Sequence, residues 1–465
     1  MSPSSNRGES ERILVRKQQP RAIIWFLLGM IGAVFASVAL WWMVIEFWYG
    51  IHTFTFWFQH VIVAIAIGIQ FYVVLHCRNA ISLLRKRREV ARAGSGRYKL
   101  TSFSFIASLL IIAGFTFIPR VNHVAIAPHL SYTGDPATTI TVSWYTREPC
   151  ETRLYLGISS HGLMNETVVS GNQRLHEVQL TGLSPNTRYY YNVSGFEGTW
   201  SFMTATGDTE NLSFGVISDV HQEIHEMVVN GLLAVDPSFI INTGDLVNFG
   251  GWTGSWEKYY NGVKPLCTRY PMMTAIGNHD TMLGGMRNYK KFHAMPASSG
   301  TERYYYFTCN GVHFISLDLE WGIETFDHAQ REWLIQVLDT IPEQDWLVVF
   351  NHCSHFTSTR FQEKTGMVDA FHSLFNKHDV DMVLTGHNHH FEILQQDTVT
   401  YIINGIAGHH FESWRAIEQA PQSLHVTCGK PGFLEIRVFH ETTNITAHLF
   451  EENGQEITVS HLLER

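Results

Sequence analysis

Five apolar runs of strand length end in residue types that bind metal ions, and this pattern constrains the fold more than any other feature of the chain. The runs lie in the segments FGVISDVH, FIINTGDLVN, MMTAIGNHD, WLVVFNH and MVLTGHNH. The candidate ligands at their ends are Asp219, His221, Asp245, Asn278, His352, His387 and His389. In an open α/β sheet the C-terminal strand ends form one crevice, so residues far apart in sequence can converge there. The pattern therefore predicts an α/β domain with a metal-binding crevice.

The mixture of ligand types indicates which ions the crevice would hold. Carboxylate, amide oxygen and neutral imidazole together suit borderline divalent or trivalent ions, and seven ligands exceed what one tetrahedral ion requires. Two ions are therefore predicted, about 3.5 to 4 Å apart if a carboxylate bridges them. One motif alone would carry little weight in a chain with 26 histidines. All five motifs, in this order from Asp219 to His389, favour a metal site over structural histidines.

Three apolar runs near the N-terminus have the length of membrane-spanning helices. They occupy residues 22–45, 57–75 and 101–119 and contain no Asp, Glu, Lys or Arg. A helix rises about 1.5 Å per residue, so each run can cross a hydrocarbon core of about 30 Å. A cleaved signal peptide is the alternative for the first run, but its length and the nearby second run favour a membrane helix. We expect three transmembrane helices within residues 22–119.

The distribution of charge predicts the orientation of these helices. Residues 1–100 contain 13 Lys and Arg against 4 Asp and Glu, whereas the rest of the chain contains 20 against 38. The basic tail 1–21 and the basic loop 78–100 are expected to be cytoplasmic, because Lys and Arg concentrate in cytoplasmic loops. The body from residue 120 onward would then be extracytoplasmic, in a multi-pass protein of the membrane bilayer. Its acidic charge indicates no nucleic-acid-binding surface.

Residues 120–207 are predicted to form a small all-β sandwich. Short alternating runs occupy residues 138–146, 152–157, 176–183, 188–195 and 199–206. Turn residues separate them at the spacing typical of a sandwich. The stretch LTGLSPNTRYYYNV resembles the corner of a fibronectin type III domain, in which Tyr189 would be the corner tyrosine and Trp144 would fill the core.

Residues 208–465 are predicted to form an α/β domain, because apolar strands alternate there with amphipathic helices. One such helix is predicted at residues 327–341. A hairpin with Asn310 and Gly311 at its turn interrupts the alternation, and strands return after Gly432. The six cysteines form no CxxC pair and no dense framework, which argues against a zinc finger or a disulfide scaffold.

The five motifs resemble the pattern of the calcineurin-like metallophosphoesterase superfamily. The elements DxH, GD, GNH[DE], H and GHxH of that pattern are matched at residues 219–221, 244–245, 277–280, 352 and 386–389. The preceding β domain, with LTGLSPNTRYYY and QREWL, resembles more narrowly the purple acid phosphatase branch. The resemblance implies a fibronectin III-like domain followed by a phosphoesterase domain, a layered β-sandwich flanked by helices.

The resemblance also implies how the ligands are shared. The first ion would be held by Asp219, His221, Asp245 and His389, and the second by Asp245, Asn278, His352 and His387. One position departs from purple acid phosphatases, which carry DxG and GDxxY with a tyrosine on ferric iron. This chain has His221 and, at the tyrosine position, Asn248. The departure leaves Mn, Zn or Fe(II) as the expected metals and argues against a stable Fe(III) centre.

The expected chemistry is hydrolysis of a phosphate ester. A metal-bound hydroxide would attack phosphorus in line while both ions neutralise the phosphoryl oxygens. His279 is expected to protonate the leaving oxygen or to hydrogen-bond the phosphoryl group, and Asp280 to fix the tautomer of His279. Candidates of second rank for the pocket wall are His355, His390, Asn404, His409 and His410.

Two functions follow from these patterns. The first is a membrane-anchored, extracytoplasmic phosphoesterase with a dinuclear metal centre, and the complete ligand sets favour it. The alternative is a membrane-anchored adhesion or binding protein whose metal site is vestigial. The sequence leaves the substrate open among phosphomonoesters, phosphodiesters, nucleotides and pyrophosphates.

Overall fold

The structure, a computed structural model, describes residues 124–163, 165–207, 211–359 and 365–465. The predicted transmembrane helices at 22–45, 57–75 and 101–119, the tail 1–21 and the loop 78–100 lie outside these residues. Within the described ranges, no helix combines the length and the apolar character needed to cross a membrane. All described residues belong to one unit, Val121–Arg465.

The N-terminal part of this unit is rich in β-structure. Its strands are β1 (Ile126–Ser131), β2 (Ile140–Gly157), β3 (Asn165–Leu180), β4 (Arg188–Val193) and β5 (Trp200–Met203). The expected sandwich would divide them between two sheets, whereas they form one sheet of order β1-β2-β4-β5, with β3 paired to β2. The reason is β2, which stays continuous through an irregularity between Tyr145 and Cys150. It therefore pairs first with β1 and then with β4.

Two aromatic residues of this region lie as predicted. Trp144 is fully buried, and its ring stacks on His176 with centroids 4.8 Å apart. The Tyr189 hydroxyl accepts a hydrogen bond from the Ser184 backbone N–H at 2.9 Å, which is the tyrosine-corner contact to a residue just upstream. The local sequence signature thus predicted the corner correctly, although it did not predict the continuity of β2.

The rest of the described chain forms two further sheets and the helices around them. The strands are β6 (Asn211–Ile217), β7 (Phe239–Asn242), β8 (Met272–Thr274), β9 (Tyr305–Cys309), β10 (Val312–Ser316), β11 (Leu347–Phe350), β12 (Met382–Thr385), β13 (Phe391–Gln396), β14 (Val399–Asn404), β15 (Ser423–Thr427), β16 (Gly432–Phe439), β17 (Thr442–Phe450) and β18 (Glu456–Glu464). The helices are α1 (Glu226–Val235), α2 (Thr253–Cys267), α3 (Asn278–Thr281), α4 (Met286–Phe292), α5 (His328–Leu338) and α6 (Thr365–Lys377). One sheet has the order β18-β17-β16-β6-β7-β8, and the other has the order β15-β13-β14-β12-β11-β10-β9.

The two sheets pack face to face through an aromatic core. Phe214 and Phe239, from β6 and β7, meet Phe314 of β10 edge to face, with centroids 5.3 Å apart in both pairs. Phe307 of β9 stacks on Phe314 at 4.8 Å. Helices α1 and α2 bury their apolar side chains against the outer face of one sheet, and α5 and α6 against the outer face of the other. This is the layered β-sandwich flanked by helices that the resemblance implied.

Both sheets contain parallel strands whose C-terminal ends meet at one edge. β6, β7 and β8 are parallel in one sheet, and β10, β11, β12 and β14 are parallel in the other. The predicted hairpin joins β9 to β10, with Asn310 and Gly311 at φ angles of 48° and 75°. The helix predicted at 327–341 is α5. The fold therefore places the ends of five motif-bearing strands side by side.

Candidate metal centre

The seven predicted ligands all follow the ends of parallel strands. Asp219 and His221 follow β6, Asp245 follows β7, Asn278 follows β8, His352 follows β11, and His387 and His389 follow β12. The strands belong to both sheets, so the site lies where the two sheets meet at their C-terminal edge. The structure brings all seven side chains together there.

Four of these ligands have an unusual backbone conformation. Asp219, His221, Asp245 and His387 have φ angles of 54°, 49°, 53° and 67°. Residues other than glycine seldom occupy this left-handed region. Each such residue costs on the order of 1–3 kcal/mol and persists where surrounding structure enforces it. Strain is therefore concentrated at this edge of the sheets, as is common at functional sites.

Backbone contacts hold the strand ends close together. The His387 backbone N–H donates to Asp219 Oδ2 at 2.9 Å, which joins the end of β12 to the end of β6. Gly244 has a φ of 108°, and a Cβ there would lie 2.7 Å from His352 Nδ1. Only glycine fits this close approach. The loop after β7 is thus packed directly against the imidazole that follows β11.

The first group of ligand atoms surrounds His221 Nε2. This nitrogen lies 3.2 Å from His389 Nε2 and 3.7 Å from Asp245 Oδ2. His389 Nε2 in turn lies 3.3 Å from Asp219 Oδ1. Nitrogen and oxygen donors from four side chains therefore face one point, as the first predicted ligand set requires.

The second group surrounds His352 Nε2. This nitrogen lies 3.0 Å from Asn278 Oδ1, 3.3 Å from His387 Nδ1 and 3.3 Å from Asp245 Oδ2. His387 Nδ1 lies 3.2 Å from Asn278 Oδ1. Asp245 Oδ2 is common to both groups, which places this carboxylate between them as a bridging ligand would be.

The donor set fits two metal ions. Ligand bonds of about 2.0–2.2 Å place neighbouring ligand atoms roughly 3 Å apart around one ion, and the separations within both groups are close to this value. Within each group two imidazole nitrogens face each other, an arrangement that a shared cation favours. In each of three overlapping sets of residues, one potential ligand atom per residue lies within 4.8 Å of the others. The sets are Asp219/His221/His389, His221/Asp245/His279 and Asp219/Asp245/His352. Two carboxylates, an amide and four imidazoles suit Mn, Zn or Fe.

His279 lies beside the first group and is partly exposed. Its ring meets that of His221 edge to face, with centroids 4.7 Å apart. His279 Nδ1 lies 2.8 Å from the Asn248 carbonyl oxygen and can donate a hydrogen bond to it. In that tautomer Nε2 is the nitrogen that can exchange a proton with a bound molecule.

Asp280 does not have the predicted role. It is fully buried, and its carboxylate accepts hydrogen bonds from the backbone N–H groups of Val247 and Gly277. The prediction that Asp280 fixes the tautomer of His279 is wrong, because the hydrogen-bond partner of His279 Nδ1 is the Asn248 carbonyl oxygen. The cause is local: Asp280 is the third residue of α3 and turns back to cap the start of that helix.

Asn248, at the position of the tyrosine in purple acid phosphatases, supports its neighbours through two contacts. Its Nδ2 donates to the His221 carbonyl oxygen at 3.2 Å, and its own carbonyl faces His279. Sequence reasoning treated Asn248 only as a departure from a ligand pattern. The residue anchors both His221 and His279, a role for which the sequence contains no local signal.

Charge interactions set the protonation of the carboxylates. Burial alone would raise the pKa of Asp219, but the hydrogen bond and charge of His389 hold this pKa below its ordinary value. Burial likewise opposes ionisation of Asp245, yet the charges of His352 and His279 lower the pKa of Asp245 well below its usual range. Both carboxylates are therefore ionised at neutral pH, as metal ligands must be.

Two buried histidines of the site have pKa values shifted in opposite directions, although burial disfavours the charged form of both. Burial dominates at His221 and lowers the pKa of that imidazole well below its usual value. Burial also disfavours the charged form of His352, but the facing Asp245 carboxylate more than offsets it and raises the pKa of His352 to about 10. A metal that binds His352 Nε2 must therefore displace a proton.

Three of the second-rank candidates have partners other than the seven ligands. His355 is buried in the core, where its ring lies 5.3 Å from that of Phe371. His390 Nε2 pairs with Glu392 Oε2 at 2.9 Å. Asn404 donates to a backbone carbonyl of β6 at 2.9 Å. These residues support the strands and loops around the site.

Of the other two second-rank candidates, His410 lies at the edge of the ligand cluster. The ring of His410 lies 5.7 Å from that of His221 and 6.2 Å from that of His389. The ring of His409 lies 5.0 Å from that of His225, which precedes α1. His225 was not predicted from the sequence, because it belongs to no ligand motif.

Comparison with known proteins agrees with this geometry. Residues 212–391 match the calcineurin-like phosphoesterase family, and residues 126–232 match the purple acid phosphatase N-terminal domain. These matches and the relatives below support a metal-dependent phosphatase with a calcineurin-like phosphoesterase domain. Within that class, the chain is similar to purple acid phosphatases.

Three curated relatives illustrate the similarity. Probable purple acid phosphatase 20 of Arabidopsis thaliana is 26% identical over 57% of this chain and 67% of that protein. Purple acid phosphatase 22 of the same plant is 27% identical over 47% of this chain and 53% of that protein. Acid phosphatase type 7 of Mus musculus is 22% identical over 66% of this chain and 78% of that protein. The chain thus spans about half to two thirds of the plant relatives.

Solved structures share the fold. The purple acid phosphatase PPD1 from yellow lupin seeds superposes with a TM-score of 0.61 at 16% identity, over 74% of each chain. PhoD superposes with a TM-score of 0.59 at 9% identity, over 72% of this chain and 90% of that one. At these identities the likeness concerns the fold alone.

Proposed function

We propose that the protein is a dinuclear-metal phosphoesterase that hydrolyses phosphate esters. The proposal depends mainly on one observation: Asp245 Oδ2 lies 3.7 Å from His221 Nε2 and 3.3 Å from His352 Nε2. The carboxylate thus stands between two complete ligand groups. Two ions held there would supply a water of lowered pKa and offset the negative charge of the phosphoryl oxygens.

His279 is proposed to act on the substrate directly. Its Nδ1 faces the Asn248 carbonyl, so the ring is held in place and Nε2 can carry a proton toward the site. From beside the first ligand group, a protonated Nε2 would donate to a phosphoryl oxygen or to the leaving oxygen. Asn248 is a positioning residue in this scheme, because it holds both His279 and the backbone of His221.

A matched pair of substitutions tests the proposal. Asp245→Asn removes the bridging charge. The control, Asp345→Asn, changes an aspartate that is not one of the ligands and whose Oδ2 lies 3.1 Å from His313 Nε2. We expect the wild type and Asp345→Asn to bind metal and to hydrolyse p-nitrophenyl phosphate or bis(p-nitrophenyl) phosphate. Asp245→Asn should lose most bound metal, measured by mass spectrometry, and hydrolysis should fall with it.

The same experiment separates the enzyme from the alternative binding protein. If the wild type binds the supplied Mn, Zn or Fe but hydrolyses neither ester, the binding protein with a vestigial metal site is favoured. Equal metal content in the Asp245→Asn and wild-type proteins would contradict the shared-carboxylate arrangement itself.

We also propose that the centre holds Mn, Zn or Fe(II), without a tyrosine bound to ferric iron. Because Asn248 replaces the tyrosine and its Nδ2 is engaged with the His221 carbonyl, we expect no tyrosinate-to-iron absorption band in the visible spectrum of the metal-loaded protein. A purple protein after loading with iron would contradict this assignment.

We further propose that the chain is membrane-anchored, with its phosphoesterase domain outside the cytoplasm. Supporting this are the uncharged runs at 22–45, 57–75 and 101–119 and the basic segments 1–21 and 78–100. The full chain should stay with membranes after carbonate extraction. In sealed cells an added protease should reach residues 120–465 but not the tail 1–21. Release by carbonate, or protection of the phosphoesterase domain, would overturn the proposal.

A further inference from the structure

Leu283 combines a strained backbone with an exposed apolar side chain. Its φ and ψ angles are 57° and 32°, and its side chain is 63% exposed. The left-handed conformation costs a residue with a Cβ roughly 1–2 kcal/mol, and large apolar residues seldom adopt it. Because the side chain is exposed to water, burial of apolar surface does not offset this cost. Selection for stability alone would place glycine or asparagine there.

The backbone of Leu283 is tied to the loop that holds His279. The Gly250 N–H donates to the His279 carbonyl at 2.9 Å, and the Gly251 N–H donates to the Met282 carbonyl at 2.9 Å. The two segments thus run side by side from the His279 ring to the position of Leu283. A Cβ on Gly251 would lie 2.8 Å from the Leu283 Cβ, so the neighbouring loop leaves room only for glycine.

The position of Leu283 is close to the reacting groups. It follows His279 by four residues, and four residues span at most about 14 Å even when fully extended. The chain between them contains the last turn of α3, which shortens the separation further. The Leu283 backbone therefore lies within about 14 Å of His279, a distance of the order that a leaving group of several carbon atoms spans.

A second exposed apolar residue is connected to the segment that carries His389. Trp414 is 59% exposed, and two residues before it the Glu412 N–H donates to the His389 carbonyl at 2.7 Å. The ring of His221 lies near those of both His279 and His410. An exposed apolar residue therefore follows each of these two histidines by four residues in the chain.

We propose that Leu283 is a specificity-determining residue that contacts an apolar leaving group, so that phosphate esters with an apolar alkyl or aryl leaving group are preferred over those with a polar one. The inference depends on the proposed function, since it concerns the substrate of the same site. The strained conformation would then be retained because it keeps an apolar side chain exposed four residues after His279. Contact with the leaving group would recover the burial energy that the free protein forgoes.

The test compares two inhibitors of similar length. Hexylphosphonate carries an apolar chain, and 2-(2-methoxyethoxy)ethylphosphonate carries a polar ether chain. Both compete with p-nitrophenyl phosphate in the metal-loaded full chain. The variants are Leu283→Asn and Leu283→Gly, which suit a left-handed backbone, with Ile158→Asn as the control because Ile158 is 75% exposed in the β-rich region.

The inference predicts a selective loss. Leu283→Asn and Leu283→Gly should raise the inhibition constant of hexylphosphonate by about tenfold and change that of the ether compound by less than about twofold. Both variants should melt about 2 °C higher than the wild type, because the strain is relieved. Ile158→Asn should change neither inhibition constant.

The outcomes separate this inference from the proposed function. Equal shifts for both inhibitors, or no shift for hexylphosphonate, would overturn the role of Leu283 while leaving the phosphoesterase intact. If the wild type hydrolysed no ester, the proposed function would fail, and calorimetric titration with the two phosphonates would still measure the preference. Tighter binding of the ether compound than of hexylphosphonate by the wild type would also overturn the inference.

Discussion

Buried histidines occur in the β-rich region and in the ligand cluster, and their surroundings differ. His176 is fully buried against Trp144, and its two nitrogens lie 2.8 Å and 3.0 Å from the hydroxyls of Thr152 and Thr146. Burial lowers its pKa. His352 is equally buried but faces Asp245, and its pKa is raised to about 10.

The contrast shows that burial does not decide what a histidine does. Burial without a charged partner lowers the pKa of His176 and leaves it part of a core. A carboxylate partner offsets burial at His352, whose basic nitrogen faces other ligand atoms. The nature and the geometry of the partners therefore separate a structural histidine from a metal ligand. Three predictions follow, in order of decreasing effect.

The largest effect is expected at His279. Changing His279 to Ala should lower turnover of a phosphate ester by about 10² to 10⁴-fold, the usual contribution of a proton-transferring side chain. Metal content should stay close to that of the wild type, because the seven predicted ligands are retained. Steady-state kinetics and metal analysis on one preparation measure both. Unchanged turnover would remove His279 from the mechanism, and loss of metal would make it a ligand.

A smaller effect, on stability instead of activity, is expected at His176. Changing His176 to Ala should lower the free energy of unfolding by about 2–3 kcal/mol, because two buried hydroxyls lose a partner and a cavity opens beside Trp144. Denaturant titration measures this change. Turnover per bound metal should stay at the wild-type value. If the His176→Ala protein kept wild-type stability but hydrolysed esters poorly, His176 would have a functional role and not a structural one.

The smallest effect is the pH dependence of metal binding. The nitrogen of His352 must lose its proton to bind a metal, and its pKa is about 10. Below that pH, each unit of acidification adds about 1.4 kcal/mol to the cost of removing one proton. The affinity for Mn or Zn should therefore rise by up to about tenfold per pH unit between pH 6 and 8. Calorimetry in two buffers should detect proton release, and an affinity independent of pH would contradict this protonation.

Much of the site was predictable because its ligands follow a repeated local pattern. An apolar strand, a short turn and a metal-binding side chain recur at Asp219, Asp245 and His352, and parallel strands bring such ends together. The α/β character of residues 208–465 followed from the alternation of strands and helices, whereas the layered β-sandwich was implied by the family resemblance. The tyrosine corner at Tyr189 was predictable for a similar reason, since its partner Ser184 is a near neighbour in sequence.

The remaining features depend on contacts between distant segments. The partner of His279 is the Asn248 carbonyl, 31 residues away, and no side-chain pattern encodes a carbonyl. The left-handed conformations of Asp219 and His387 follow from packing of strand ends, because neither residue type demands them. The continuity of β2 was missed because turn residues suggested a break that tertiary packing bridges.

The place of β16 in its sheet has a consequence for biogenesis. β6, which leads to Asp219, is hydrogen-bonded on one side to β7 and on the other to β16, with Leu434 opposite Val216. A nascent chain that has passed His389 contains every ligand yet lacks this neighbour. Residues 432–439 are therefore needed to pair both edges of β6, so assembly of the sheet that holds Asp219 extends beyond the last ligand residue in the chain.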